Sequence, residues 1–252
     1  MMNDLKLIAC DPILGIPRVR PEGYQPDRAD LLFQMNRLGI SQAVVRHRVA
    51  IECGPIVGNG VVLEETKDED LLLPAWMVTP DGSAPDFEPG KLINEMIKSG
   101  TRICWIDPQA EGFSLLPWCS GHLYEILQAR RIPLLVDYDK VTSDDLDVIL
   151  SAFGQLNLIL LNAPRLGRNR LLYPLLERHA NLRLCLSHTY SVPGGIEDLC
   201  KTFGDHRWVF GIGYPDAEGG AAIAGLSYAR ISDRAREAIA HINIESMLED
   251  VM

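Results

Sequence analysis

Eight short apolar runs punctuate the chain: LKLIAC (5–10), QAVVR (42–46), LLPAWMV (72–78), RICWI (102–106), IPLLVD (132–137), LNLILL (156–161), LRLCLS (182–187) and RWVFGI (207–212). Each is too brief for a helix. Near-continuous apolar character, in place of strict alternation, is what strands buried on both faces of a parallel sheet show. Parallel strands need crossover connections, and the intervening segments carry helical spacing. Ala29 to Leu38 offers Leu32, Phe33 and Met35 as an inner stripe and Gly39 as a stop. Pro89 to Ser99 ends at Gly100, Leu123 to Arg131 ends before Ile132-Pro133, and Ser143 to Phe153 ends at Gly154. Leu171 to His179 and Gly195 to Phe203 follow, the latter closed by Gly204. Eight strand-then-helix units in 252 residues have the length and order of a (β/α)8 barrel. The runner-up, a doubly wound open sheet, would offer a glycine-rich phosphate loop after its first strand, and Asp11-Pro12-Ile13-Leu14-Gly15 is not GxGxxG. With no linker and no break in composition, residues 1–252 read as one α/β TIM-barrel domain.

Charge narrows the partners. A net charge of −10 argues against nucleic acid, whose affinity comes from clustered Lys and Arg. The single basic cluster, Arg165, Arg168 and Arg170, reads as a loop leading into a helix. No run of about 18 apolar residues exists to span a bilayer, and MMNDLKLIACDP lacks the pattern of a secretory leader, so a cytoplasmic protein is expected. Cys10, Cys53, Cys104, Cys119, Cys185 and Cys200 form no CxxC pair and read as small buried hydrophobes in a reducing compartment.

In a barrel of this kind the chemistry lies where the strands end. The residues found there are Asp11, His47, Arg48, Thr79, Asp81, Asp107, Asp137, Asn162, His188, Tyr214 and Asp216. Each has a structural alternative: Asp11 before Pro12, Asp107 before Pro108 and Asp81 before Gly82 are positions where Asp makes turns. Convergence of many polar groups on one face carries more weight than any one of them. Asp11, Asp137 and His188 are the catalytic candidates. His47, Arg48, Asp107, Asn162, Tyr214 and Asp216 are expected to line the pocket. Asp137 ranks above Asp81 and Asp107 because IPLLVD places it on the strand itself.

The phrases MNRLGISQAVVRH, LPWCSGHLYEILQARRIPLLVD, LLYPLLERHANLRLCLS, GGIEDLCKTFGDHRWVFGIGYP and ISDRAREAIAHINIESML resemble the amidohydrolase-related family of metal-dependent TIM-barrel hydrolases and decarboxylases. The resemblance covers nearly the whole chain. It implies a divalent metal held by an HxH pair after strand 1, histidines after strands 5 and 6, and an aspartate after strand 8. Those positions carry Asp11 and Ile13, Asp137, Asn162 and Gly213 here. Every implied ligand is changed, so a transition-metal site built on imidazoles is not expected; the remaining oxygens suit a weakly held hard cation or none, and no cofactor is expected.

Three functions compete. The first is a metal-independent hydrolase or lyase reusing the pocket, with Asp11 or Asp137 as general base and His188 or His47 as its acid partner. The alternative is a non-catalytic binding or regulatory descendant, since no replacement nucleophile such as GxSxG announces itself. The third, a metallohydrolase with non-standard ligands, ranks last. A small molecule is the expected partner, its identity open; self-association into a homo-oligomer is also left open.

Overall fold

The apolar runs become strands, and the sheet follows the order of the chain. The computed structural model describes residues 5–17, 25–80, 88–163, 169–190 and 192–252; Asp81, Arg165 and Arg168 lie outside them. The strands are β1 (Ile8–Ala9), β2 (Ile13–Leu14), β3 (Gln42–His47), β4 (Leu72–Pro74), β5 (Trp76–Met77), β6 (Cys104–Ile106), β7 (Leu134–Asp137), β8 (Leu158–Leu161), β9 (Leu182–Leu186) and β10 (Trp208–Phe210). All pairings are parallel. β3 pairs with β1, β2 and β4, and β5 to β10 pair in sequence. The run 72–78 passes from one neighbour to the other: Ala75 donates its N–H to Val45 O at 2.9 Å and Trp76 to Ile103 O at 3.2 Å. Cys10 donates to Phe210 O at 2.9 Å and Ile13 to Tyr214 O at 3.2 Å, which brings the first strand against the last.

The strands sort their side chains with period two. Ile8, Cys10, Val44, Met77, Trp105, Leu135, Ile159, Leu161, Cys185 and Val209 belong to one buried cluster. Ala9, Val45, Cys104, Ile106, Leu134, Val136, Leu160, Leu184 and Phe210 belong to another, which the helices cover. Successive residues of a strand point to opposite faces, so the first cluster fills the barrel and the second packs beneath the helices. Arg46 lies two residues after Val44, Asp107 two after Trp105 and Asp137 two after Leu135. All three therefore point inward at the end where the strands finish.

The helices are α1 (Arg28–Leu38), α2 (Val49–Cys53), α3 (Pro55–Thr66), α4 (Pro89–Lys98), α5 (Pro108–Glu111), α6 (Pro117–Ala129), α7 (Ser143–Ala152), α8 (Asn169–Arg178), α9 (Gly195–Phe203), α10 (Gly220–Tyr228), α11 (Asp233–Glu237) and α12 (Asn243–Glu249); a π turn, Ala238–Ile242, joins the last two. In α1 Asp27 caps the first turn by accepting from Asp30 N, and Gly39 ends the helix at φ 70°. Its buried residues are Leu31 and Met35. Of the stripe read from the sequence, Met35 is buried and Leu32 packs against the core, whereas Phe33 is 61% exposed and Leu31 takes its place. α6 begins at Pro117 instead of Leu123, because proline's fixed φ suits a first helical position. α3 had no counterpart in the sequence reading. Its PIVGNG start looks like a loop, yet a Cβ at Gly58 would come within 2.2 Å of the Ala50 backbone, so glycine is what lets α3 close on α2.

Cysteine burial needs one correction. Cys10, Cys104 and Cys185 are buried as expected, but Cys53, at the end of α2, is exposed, and Cys119 and Cys200 are half-buried. Among the described residues no helix is long and apolar enough to cross a membrane.

Candidate active site at the strand ends

A cleft of about 500 Å³ opens at the C-terminal ends of the strands, with Asp11, Arg46, Arg48, Asp107, Asp137, Asn162, His188, Tyr214 and Asp216 in its walls. At its centre is a guanidinium. Arg46 donates from Nη1 to Asp137 Oδ2 at 2.6 Å and from Nη2 to Asp11 O at 3.0 Å. Its guanidinium carbon lies 5.5 Å from the centre of the Trp105 ring. Asn162 donates from Nδ2 to Asp137 Oδ1 at 2.7 Å, so both oxygens of Asp137 are engaged. Asn162 holds this position in the left-handed region, φ 53°, which Asn tolerates better than most residues.

Burial alone would raise the Asp137 carboxyl. The Arg46 guanidinium outweighs it, helped by Asn162 and Lys140, and leaves the group below its ordinary value. Stability from such a group is present above the ordinary carboxylate range and is lost as pH falls through the depressed folded value. Denaturant melts from about pH 6 down to about pH 2 should therefore give a shallower loss for Asp137→Asn than for the native chain. Parallel curves would remove the ion pair from the account.

Asp11 has a different occupation. Its Oδ1 accepts from Ile212 N and its Oδ2 from Gly213 N, both at 2.8 Å, and the residue is 3% exposed. It ties the turn after β1 to the segment after β10. Burial pushes its carboxyl above the ordinary value, opposed by the two amides and by Arg46. Asp107 caps α5, accepting from Gln109 N at 3.1 Å and Ala110 N at 3.0 Å, with Lys140 Nζ 3.4 Å away. Tyr214 donates to Asp30 Oδ2 at 2.9 Å and so braces α1. Arg48 stands 3.8 Å from Asp216, which is largely exposed.

His188 lies over Gly213. A Cβ at residue 213, whose φ is 72°, would be 2.0 Å from His188 Nδ1. That nitrogen is buried with no hydrogen-bond partner among the described residues, and the ring borders both the cleft and a second cavity of about 250 Å³ beside α9 and α10.

His47 is a correction. It does not reach the cleft, because strand alternation turns it away from the side taken by Arg46. Its Nδ1 instead accepts from Val49 N at 3.1 Å, close to Gly15, and burial lowers its pKa. Arg46 is the residue the sequence reading missed. The signal was available: QAVVRH puts Arg46, not His47, in register with inward-facing Val44.

With this geometry in view, comparison with solved structures decides the architecture. An uncharacterised TIM-barrel protein from Bordetella bronchiseptica superposes with a TM-score of 0.72 at 19% identity, covering 98% of this chain and 99% of that one. The fold is a TIM barrel. A 2,6-dihydroxybenzoate decarboxylase from Rhizobium matches the barrel with a TM-score of 0.76 at 15% identity, over 97% and 98% of the two chains. A probable 2-pyrone-4,6-dicarboxylic acid hydrolase from Acinetobacter baumannii, solved with citric acid bound, gives 0.69 at 10% identity over 97% and 99%. The neighbours of this barrel are thus of the kind the sequence resembles, hydrolases and decarboxylases among them. No family model and no curated protein sequence matches the chain.

The metal implied by that resemblance does not fit these residues. Asp11 spends both oxygens on backbone amides, and Asp137 spends its own on Arg46 and Asn162. Ile13 has no donor, and His188 fills the space beside Gly213. Among the described residues no three His, Cys, Asp or Glu side chains are grouped to hold an ion. A cation is already present, in covalent form, as Arg46.

Proposed function

We propose that the chain is a metal-independent hydrolase or lyase acting on a small molecule in the cleft at the barrel mouth. The observation that carries this reading is His188, an imidazole bordering the cleft whose Nδ1 has no partner among the described residues, beside Asp11 and Asp137, whose carboxylate oxygens are engaged. Among the described residues nothing fixes His188 Nδ1, whereas the oxygens of Asp11 and Asp137 are held by other partners, which leaves the imidazole as the candidate for passing a proton. His188 is accordingly the acid–base group. Asp137 orients Arg46, Asp11 holds the strand ends together, and Arg48, Asn162 and Asp216 border the ligand. The structural likeness to decarboxylases and a hydrolase supports the same reaction classes, with the substrate left open.

A screen of esters, lactones and carboxylic acids, followed by product detection, tests this reading. A substrate turned over by the native chain should be processed about 100-fold or more slowly by His188→Gln, the size general acid–base catalysis normally supplies. Turnover unaffected by that change would sink His188 as the acid–base group. No turnover across the screen would favour a second reading, a binding protein without chemistry, which the engagement of Asp11 and Asp137 also supports. In either case, protein purified without chelator should carry a substoichiometric amount of transition metal by elemental analysis. A tightly held ion surviving gel filtration would bring back the metallohydrolase.

A further inference from the structure

We infer that Arg46, bonded to Asp137 and Asp11 at two of the positions where the resemblance implies metal ligands, is the cleft's fixed electrophilic centre, and that with Arg48 it binds the carbonyl oxygen of an uncharged ligand. The inference rests on the reading of the cleft as a small-molecule site.

The first support is unused hydrogen-bonding capacity. A guanidinium carries five N–H donors and no acceptor. Among the described residues Arg46 makes two hydrogen bonds, to Asp137 Oδ2 and Asp11 O, and its Nε is buried without a partner. Its side chain is only 4% exposed, so water does little to satisfy the rest. Arg48 repeats the pattern: among the described residues its Nε is buried and unpartnered, and the carboxylate of Asp216, 3.8 Å from it, is 74% exposed. Buried donors left unpaired cost about 1–3 kcal/mol each, and native proteins rarely carry them without a reason. Both residues line the cleft, and the guanidinium N–H groups left over from the bonds above are the donors an oxygen acceptor there would take.

The second support is rigidity. Asp137, itself held by Asn162, holds one edge of the group, the Asp11 carbonyl holds another, and the Trp105 ring packs against it. Donors fixed in advance and shielded from water act on a ligand oxygen without reorganising, which is what a metal ion would otherwise provide.

Charge then selects the ligand. The cleft walls hold five acids, Asp11, Asp107, Asp137, Asp139 and Asp216, against the bases Arg46, Arg48 and Lys140, a balance of −2. Arg46 is already neutralised by Asp137, and Lys140 stands against Asp107. An added carboxylate meets net repulsion, whereas the carbonyl of an ester, lactone or amide takes the free N–H donors at no such cost.

Binding is tested by NMR with matched pairs: δ-valerolactone against 5-hydroxypentanoate, and N-methylacetamide against acetate. The probe is the Nε–H resonance of Arg46 in nitrogen-15-labelled protein, assigned by its absence in Arg46→Lys. The uncharged member of each pair should shift that resonance and bind at least tenfold more tightly than its carboxylate. Arg46→Lys should weaken uncharged probes about tenfold, because an ammonium cannot reproduce the planar fork. Arg46→Met leaves Asp137 unpaired and puts folding at risk, so Arg46→Met/Asp137→Leu, which removes both charges together, serves as the second variant and should also lose the probes. Tighter binding of the carboxylates, binding unchanged in Arg46→Lys, or no response of the Arg46 resonance to any probe would overturn the inference. Failure of turnover alone would not, since Arg46-dependent binding without chemistry sinks only the catalytic part of the proposed function.

Discussion

Asp11→Ala is expected to destabilise the chain by about 3 kcal/mol, since it leaves two buried backbone N–H groups unpaired at about 1–3 kcal/mol each. The effect exceeds that of an ordinary buried polar residue because of what the two bonds join. Ile212 and Gly213 follow the last strand and Asp11 follows the first, so the carboxylate ties together parts of the chain that meet only when the barrel is complete. Backbone contacts nearby, Cys10 N to Phe210 O and Ile13 N to Tyr214 O, depend on the same approach. Part of the loss is offset: burial raises the Asp11 carboxyl, so ionised Asp11 carries a desolvation cost that alanine removes. Equilibrium urea unfolding at neutral pH measures the difference. Asp216→Asn, at a position 74% exposed, should stay within about 0.5 kcal/mol of the native value. Equal and small effects for the two would mean that Asp11 is not the tie it resembles in the structure, and would return it to the list of candidate bases.

The contrast between Asp11 and Arg46 shows which parts of this protein are legible in sequence. The barrel was legible because parallel strands buried on both faces leave long apolar signatures, and each of the eight runs contains strand. The line of residues after those runs was legible for a geometric reason, that barrel strands all finish at one end. Orientation was less so. His47 and Arg48 were singled out for following an apolar run, while Arg46 was passed over for belonging to it. Alternation on the strand, counted from Val44, distinguishes them, since a shift of one residue changes the face. Roles were harder still. An acid before a proline can be a turn former, a base or a tie, and only the partners of its two oxygens tell these apart. The glycine-rich start of α3 misled because Gly58 answers to the neighbouring backbone of α2, a contact between chain segments that propensity does not encode.

Gly213 offers the second large effect and a way to ask whether the barrel could take back a metal ligand. Gly213→Ala should cost about 2–6 kcal/mol, combining a left-handed φ of 72° that non-glycine residues adopt at about 1–3 kcal/mol with a clash of similar size. The clash is specific: the new Cβ would fall 2.0 Å from His188 Nδ1, so the imidazole must leave its place. A double-mutant cycle separates the two costs. In a His188→Ala background the ring is gone, and Gly213→Ala should recover the steric part while retaining the backbone part, giving a coupling of about 1–3 kcal/mol. Purely additive effects would mean that the ring and the glycine are independent and that His188 is free to move aside. Gly213→Asp, which restores the carboxylate implied by the resemblance, should behave like the alanine variant and bind no zinc by titration calorimetry. The added carboxylate would still face an Asp137 engaged by Arg46 and Asn162, with Ile13 contributing nothing. Stoichiometric zinc binding by Gly213→Asp would show instead that Arg46 yields its place readily, and that a single side chain separates this cleft from a metal site.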